Sequence, residues 1–293
     1  MNRLSRLLVA GCVAIGCAVA VWLQSGEAAA TMPAPLPQSS SVQVAQLNSA
    51  EDTDFGRHFE DLDVEGSILI YDSANDRTYQ HNPTRNQTAF LPASTFKILN
   101  SLISLENGVI ADEIAILTWD GVTRKVPAWN RDLNMREAFK LSAYPFYQVL
   151  ARRVGHERMQ QGVTQAEYGN QTIGDEEDID TFWLDGKLRT TPAEQIQFLR
   201  RFYQNDLPFS ERTFSIVKDI MVVEQTPTYT IRAKSGWVGF DQPELSQVGW
   251  YVGYLEKGEN VYFFATNIDI RNENDPRHRV ELTRRCFEDL GLL

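Results

Sequence analysis

Residues 91–108 read LPASTFKILNSLISLENG and place a lysine inside an apolar helical pattern. Ser94 precedes the apolar run, Lys97 follows three residues later, and Gly108 ends the segment. The pattern predicts a helix over residues 95–106, with Gly108 as its C-terminal stop. Because residues three apart share a helix face, Ser94 and Lys97 are predicted to point the same way.

This pairing of a serine with a lysine allows nucleophilic chemistry. Ser94 lies at a predicted helix N-terminus, where free backbone N–H groups stabilise an oxyanion. A serine nucleophile needs a base, and the sequence has no Gly-x-Ser-x-Gly elbow. Lys97 can act as that base if burial lowers its pKa far below the usual value of about 10.4. The motif alone is weak, because a second copy, Ser215 to Lys218, is predicted to be a helix face without chemistry.

Composition excludes several classes of protein. The 293 residues are 43% hydrophobic and 23% charged, which is typical of a globular protein. The net charge of −11 gives no electrostatic footprint for nucleic acid. Four scattered histidines and three cysteines form no Cys-x-x-Cys or Cys/His spacing, so no zinc site is predicted. No other motif in the sequence implies a metal or an organic cofactor.

The N-terminus has the pattern of a targeting segment. Two arginines precede an uncharged apolar run over residues 7–23, and an Ala-x-Ala site follows at residues 28–30. The pattern predicts a cleaved secretory signal over residues 1–30 and export from the cytoplasm. An uncleaved anchor and a lipoprotein box ending at Cys12 remain alternatives. After cleavage only Cys286 remains, so no intramolecular disulfide is possible.

The remaining chain is predicted to be one domain behind a leader. Residues 31–50 are rich in Pro, Ser and Gln, which predicts a flexible leader. No second linker follows, so residues 51–293 are predicted to form a single domain. Its middle, residues 109–225, reads mostly as helix and loop.

Four strands and two further helices stand out in this domain. Alternating or β-rich runs predict strands at residues 66–73, 229–236, 248–256 and 260–268. Helices are predicted over residues 191–203, with Thr191 as cap and Pro192 as first residue, and over residues 277–290. The last two strands are predicted to be joined by a hairpin loop, Lys257-Gly258-Glu259. This is an α+β layout with an antiparallel sheet and a helical lobe.

The order of the motifs carries more information than any single motif. In chain order they are PASTFK (92–97), YGN (168–170), FWLDG (182–186), KSGW (234–237) and FFATNIDI (263–270). In this order the chain resembles the class D (oxacillinase-type) β-lactamases, within the penicillin-recognising serine enzymes. The resemblance covers residues 55–293. It implies a β-lactamase/transpeptidase-like fold, with a central antiparallel sheet flanked by helices and a site between the sheet and a helical lobe.

The resemblance also implies an activity, the hydrolysis of penicillin-type antibiotics and hence resistance to them. Ser94 would be the acylated nucleophile, and Lys97 would carry a carboxylate taken from CO2 and act as general base. The indole N–H of Trp183 would hold that carboxylate. Ser142 would pass a proton to the leaving nitrogen, and Lys234 would supply positive charge beside it.

Further residues are implied to bind the substrate. Ser235 would donate its hydroxyl to the substrate carboxylate, and Arg279 would grip the same group, with Arg277 as the alternative. The backbone N–H groups of Trp237 and Ser94 would form the oxyanion hole.

Two other features are the YGN motif, which is predicted to be structural, and a residue that departs from the family pattern. Tyr168 and Asn170 of the YGN motif are predicted to be structural members of a turn. Tyr144 stands where the family usually has valine, two residues after the motif serine. We expect Tyr144 to line the substrate site, to reshape the pocket of Lys97, and to slow or redirect deacylation.

Other functions fit parts of this pattern. A β-lactam-binding sensor or penicillin-binding protein would stay acylated, a D,D-peptidase would act on cell-wall peptides, and an inactive relative would only bind. The complete motif set favours a hydrolase of a small β-lactam, with no nucleic-acid partner and no membrane contact after signal cleavage. Both a monomer and a homodimer fit the acidic composition. Loops near residues 121–131 and 237–247 are predicted to set the substrate spectrum.

Overall fold

The computed structural model describes residues 53–240, 242, 244–272 and 274–293. The predicted signal peptide (1–30) and leader (31–50) lie outside these residues. Within the described ranges every helix is too short or too polar to cross a bilayer.

A six-stranded antiparallel sheet organises the described chain, with strand order β2-β1-β8-β7-β6-β5. A separate two-stranded ribbon pairs β3 with β4. The strands are β1 (Gly66–Asp72), β2 (Arg77–His81), β3 (Ile116–Leu117), β4 (Leu133–Asn134), β5 (Val222–Gln225), β6 (Tyr229–Val238), β7 (Val248–Lys257) and β8 (Asn260–Asp269).

Helices cover both faces of the sheet, which explains why its central strands are apolar along their whole length. The described helices are α1 (Gly56–Asp61), α2 (Pro83–Asn86), α3 (Lys97–Glu106), α4 (Met135–Lys140), α5 (Tyr144–Val154), α6 (His156–Gln165), α7 (Pro192–Tyr203), α8 (Glu211–Ile220) and α9 (Asp275–Asp289). On β7, Trp250 and Val252 face the larger core with α3, α5 and α7, whereas Tyr251 and Leu255 face α1 and α9. This alternation follows from the two-residue period of a strand.

Several sequence predictions match the described elements. The four predicted strands are present, and Thr191 caps α7 through the amide of Glu194, with Pro192 at the first turn. Gly108 follows α3 with a φ of 63°, the left-handed conformation that ends helices. The predicted α+β class is therefore confirmed.

Other predictions were wrong in detail. The segment predicted to be mostly helix and loop also contains β3 and β4, and the six-stranded sheet has two strands that were not predicted, β2 and β5. Both are short edge strands with polar residues, so neither shows a clear apolar alternation. Lys257 pairs with Asn260, which leaves a two-residue hairpin loop instead of three residues.

Candidate active site

A cleft of about 440 Å³ opens between β6 and the helical lobe. Residues from six separate segments line it, and they include most of the side chains selected from the sequence. They are Ser94, Val126, Trp129, Leu141, Ser142, Tyr144, Gln148, Thr181, Leu184, Asp185, Ser235, Gly236, Trp237, Gly239, Phe240, Gln242 and Arg279. Both loops predicted to set the substrate spectrum contribute to this wall.

Ser94 lies in a tight turn in front of α3. Residues Ala93–Phe96 form a 3-10 helix, and the α-helix begins only at Lys97, later than the predicted start at residue 95. Side chains three residues apart nearly eclipse each other in a 3-10 helix. The Lys97 ammonium nitrogen Nζ therefore comes within 2.7 Å of Ser94 Oγ and donates a hydrogen bond to it.

Lys97 is fully buried although it carries an amine. Burial, and secondarily the charge of Lys234, holds the pKa of Lys97 well below its usual range. No carboxylate forms an ion pair with it among the described residues, and its Nζ lies 5.3 Å from the centre of the Tyr147 ring. The neutral amine is consequently favoured, and a neutral amine is both a base and a nucleophile.

Trp183 lies in a cluster of aromatic rings next to the Ser94 turn. Its ring stacks on Phe96 at 5.6 Å and meets Phe182 edge-on at 4.9 Å. Its backbone carbonyl accepts a hydrogen bond from Ala93 N at 2.9 Å, which holds the start of the Ser94 turn. Its indole Nε1 is buried without a hydrogen-bond partner among the described residues. Such a donor costs about 1–3 kcal/mol unless an acceptor reaches it.

Ser142 and Lys234 form a second serine–lysine pair on the other side of Ser94. Ser142 lies in the link between α4 and α5 with a φ of 56°, and the nitrogen Nζ of Lys234 donates to its hydroxyl at 2.9 Å. Lys234 Nζ also donates to the carbonyl of Ser235 at 2.8 Å. Burial, helped by the charge of Arg279, lowers the pKa of Lys234 to about 7. This lysine can therefore give or take a proton near neutral pH.

The strand β6 presents an unpaired edge to the cleft. Strand β5 pairs only with residues 230–232 of β6, and Ala233 N donates to Met221 O at 2.9 Å just beyond it. Backbone groups two or four residues apart point to the same edge, so the N–H of Trp237 points into the cleft. From Lys234 to Val238 no described strand pairs with this edge.

Two substrate-binding candidates selected from the sequence also line the cleft. Ser235 and Arg279 both line it, and Arg279 Nη1 donates to the carbonyl of Gly236 at 3.0 Å. Burial lowers the pKa of Arg279 to about 10, so it stays charged at neutral pH. Its Nε is buried without a partner among the described residues. Arg277 is exposed and does not line the cleft, so it is not placed to substitute.

The YGN residues lie away from the cleft. Tyr168 is fully buried beneath the Ser94 turn, with its ring 5.7 Å from Phe96. Asn170 closes a loop, donating its side-chain amide to Lys187 O at 2.9 Å and its backbone N–H to Arg189 O at 2.9 Å. Lys218, in the second Ser-x-x-Lys copy, donates to Tyr203 O at 2.7 Å and stays outside the cleft.

Four aromatic rings line the cleft as a continuous wall, and the sequence predicted two of these residues, Tyr144 and Trp237. The Tyr144 ring packs edge-on against Trp129 at 5.1 Å, and Trp129 lies 5.9 Å from Phe240. Phe240 in turn meets Trp237 edge-on at 5.0 Å. The loops were expected to matter, but no sequence signal marks Trp129 or Phe240, because only the fold brings the two loops together.

Comparison with known proteins places this geometry in a class. Residues 63–287 match the family model described as the penicillin-binding protein transpeptidase domain. A 3-10 turn that carries a serine, a buried lysine three residues later and an open strand edge together define a penicillin-recognising serine enzyme. Within the described residues no three His, Cys, Asp or Glu side chains are grouped as a metal site would require.

Individual relatives narrow the class. The chain is 41% identical over 238 residues to β-lactamase OXA-48 of Klebsiella pneumoniae, covering 81% of this chain and 88% of that one. It is 39% identical over 244 residues to β-lactamase OXA-5 of Pseudomonas aeruginosa, covering 83% and 91%. The crystal structure of the class D β-lactamase YbXI from Nostoc aligns with a TM-score of 0.80 and 55% identity, covering 83% and 100%. The chain therefore belongs to the class D β-lactamases, as its motifs predicted.

Gly236 offers a test of how closely the Ser94 turn packs on β6. A Cβ there would lie 3.2 Å from Pro92 O and 3.2 Å from Thr95 Cγ2. We expect Gly236→Ala to push the turn away from β6 and lower kcat/KM by about tenfold to a hundredfold, as small misplacements of reacting groups do.

Steady-state hydrolysis of a penicillin measures this effect. Gly56→Ala on α1 is the matched control, because its added methyl meets the Asp54 side chain at 2.9 Å, away from the cleft. An unchanged kcat/KM in folded Gly236→Ala would show that the turn tolerates displacement.

Proposed function

We propose that this enzyme opens the amide of penicillin-type β-lactams through an acyl intermediate on Ser94 Oγ, with Lys97 carboxylated by CO2 as its general base. The observation that carries the proposal is the fully buried Lys97 amine, 2.7 Å from Ser94 Oγ.

The surroundings of Lys97 fit a carboxylate on its amine. A lowered pKa leaves Nζ neutral, so its lone pair can bond to the carbon of CO2 while one amine proton leaves to solvent. The buried indole N–H of Trp183 is a donor that needs an acceptor, and a carboxylate is the strongest one available. When present, this group supplies an anionic base beside Ser94.

Acylation then uses groups already in position. The hydroxyl proton of Ser94 passes to the base at Lys97 as Ser94 Oγ bonds to the β-lactam carbonyl carbon. The backbone N–H groups of Ser94 and Trp237 stabilise the negative oxygen that develops. Ser142 protonates the leaving nitrogen as the C–N bond breaks, and Lys234, 2.9 Å away, replaces that proton. Water finally hydrolyses the ester and frees Ser94.

Binding of the substrate rests on charge at one end and apolar surface at the other. Arg279 and Ser235 are placed to hold the β-lactam carboxylate at one end of the cleft. Trp129, Phe240 and Leu184 present apolar surface to the acyl side chain.

Dependence on CO2 tests the base. We expect turnover of a penicillin to fall in CO2-depleted buffer at acid pH and to recover on addition of bicarbonate. The physical reason is that protonation of the Lys97 nitrogen releases CO2 and leaves no base. Steady-state assays are paired with ¹³C NMR in ¹³C-bicarbonate, where the carboxylated lysine gives a distinct signal.

Two variants separate the steps of this test. Ser94→Ala should keep the ¹³C signal and form no adduct by intact mass, whereas Lys97→Ala should lose the signal. Full activity of the wild type in CO2-depleted acid buffer would refute the proposed base.

Tyr144 favours a second candidate function, a β-lactam-binding protein that acylates and deacylates slowly. Its ring lines the cleft two residues after Ser142, at the first position of α5. From there a bulky ring narrows the side of the cleft next to the Ser94 ester. Tyr147, three residues later, is the ring that lies against Lys97.

Replacing this ring tests whether Tyr144 slows deacylation. We expect Tyr144→Val to shorten the lifetime of the acyl adduct by about tenfold, which corresponds to a barrier about 1.4 kcal/mol lower. Single-turnover kinetics followed by intact mass measures the lifetime, with Tyr79→Val on the opposite edge of the sheet as control. An unchanged lifetime would exclude Tyr144 as the residue that limits deacylation.

For the location of the enzyme, we propose export to the periplasm or medium with loss of residues 1–30. The support is the charged and apolar pattern of that segment. Intact mass of the protein recovered from the periplasmic fraction should correspond to a chain that starts at Thr31. A chain that keeps the segment and stays with the membrane would point to an anchor instead.

A further inference from the structure

Gln195 is a fully buried polar residue on α7 that the chemistry described above does not use. Its side-chain nitrogen Nε2 donates to Thr95 Oγ1 at 2.9 Å and to the hydroxyl of Tyr168 at 3.0 Å. A buried amide destabilises the fold unless it is hydrogen-bonded, and an apolar residue would pack there at lower cost. The side-chain oxygen Oε1 of Gln195 is buried without a hydrogen-bond partner among the described residues, so this amide costs stability and needs another reason.

Thr95 carries the effect of Gln195 to the nucleophile turn. The Thr95 hydroxyl donates its single proton to the carbonyl of Pro92 at 2.7 Å, and Thr95 N donates to the same carbonyl at 3.1 Å. Because that proton is committed, Thr95 Oγ1 accepts from Gln195. A directed chain of hydrogen bonds runs from Gln195 through Thr95 to Pro92, and Ser94 lies between the last two residues.

The turn that this chain closes is strained. Ala93, directly before Ser94, has a φ of 47°, the left-handed conformation that costs a non-glycine residue about 1–2 kcal/mol. Strained backbone persists only where its surroundings hold it in place. The carbonyl of Trp183 accepts a hydrogen bond from Ala93 N, and the hydrogen-bond chain from Gln195 ends on the carbonyl of Pro92. These two contacts fix the strained turn.

We propose that Gln195 is a positioning residue for Ser94, acting through Thr95 to hold the strained turn in its reactive geometry. The turn sets both the reach of Ser94 Oγ to Lys97 and the direction of the Ser94 N–H. The role rests on the proposed function of Ser94 as nucleophile. Loss of the hydrogen-bond chain displaces Ser94 Oγ and the Ser94 N–H, which act in the transition state. It therefore slows acylation without weakening initial substrate binding.

Stopped-flow acylation with a chromogenic β-lactam tests the role, since it separates the acylation rate constant from the dissociation constant of the initial complex. Gln195→Met keeps a similar volume and removes both donors. We expect its acylation rate constant to fall at least about tenfold, with the dissociation constant unchanged. Acylation at the wild-type rate in the folded variant would overturn the role.

Thr95 provides a second route to the same test should Gln195→Met not fold. Thr95→Val removes the hydroxyl and should slow acylation as much as Gln195→Met, whereas Thr95→Ser keeps the hydroxyl and should restore it. In the double variant the two losses should not add, because both break one chain. Losses that add fully would show that Gln195 does not act through Thr95.

Phe202→Leu on the same helix is the control for stability alone. Phe202 is fully buried against Phe214 and Tyr254, at the other end of α7 from Gln195. The Phe202→Leu variant should have a lower melting temperature and an unchanged acylation rate constant. If the wild type forms no Ser94 adduct, the proposed function is refuted. If the wild type and Gln195→Met acylate at equal rates, only the role of Gln195 is refuted.

Discussion

The site depends on one physical constraint, a fully buried amine next to a serine hydroxyl, with no counter-charge among the residues that the structure describes. A charged ammonium in this position would cost several kcal/mol of solvation free energy, so the fold favours the neutral form of Lys97. The Tyr147 ring, whose centre lies 5.3 Å from the Lys97 nitrogen, helps to exclude solvent from the amine. The same apolar packing joins α3 to the helical lobe. The neutral state of Lys97 therefore depends on the packing of the core.

Much of the fold was predictable because the central strands are covered on both faces. Strands β7 and β8 are long runs rich in β-branched and aromatic residues, and such runs predict buried strands clearly. The edge strands β2 and β5 lack this signal, since few of their residues are buried and their position is set by neighbouring strands. Local pattern thus predicts the centre of the sheet better than its edges.

The candidate site shows the same division between local and tertiary information. Short spacing predicted that Ser94 and Lys97 meet, and motif order selected Ser142, Lys234 and Arg279. The left-handed Ala93, the wall formed by Trp129 and Phe240, and the contact of Gln195 with Thr95 depend on segments up to about a hundred residues apart. No spacing rule encodes such contacts, because they arise only when helices pack on the sheet.

The unpaired edge of β6 also bears on self-association of this protein. Free strand edges recruit strands from other molecules and begin aggregation. Here the free edge lies at the floor of a cleft of about 440 Å³, behind the rings of Trp129 and Phe240. Changes that widen the cleft for larger antibiotics would therefore also weaken its protection against self-association.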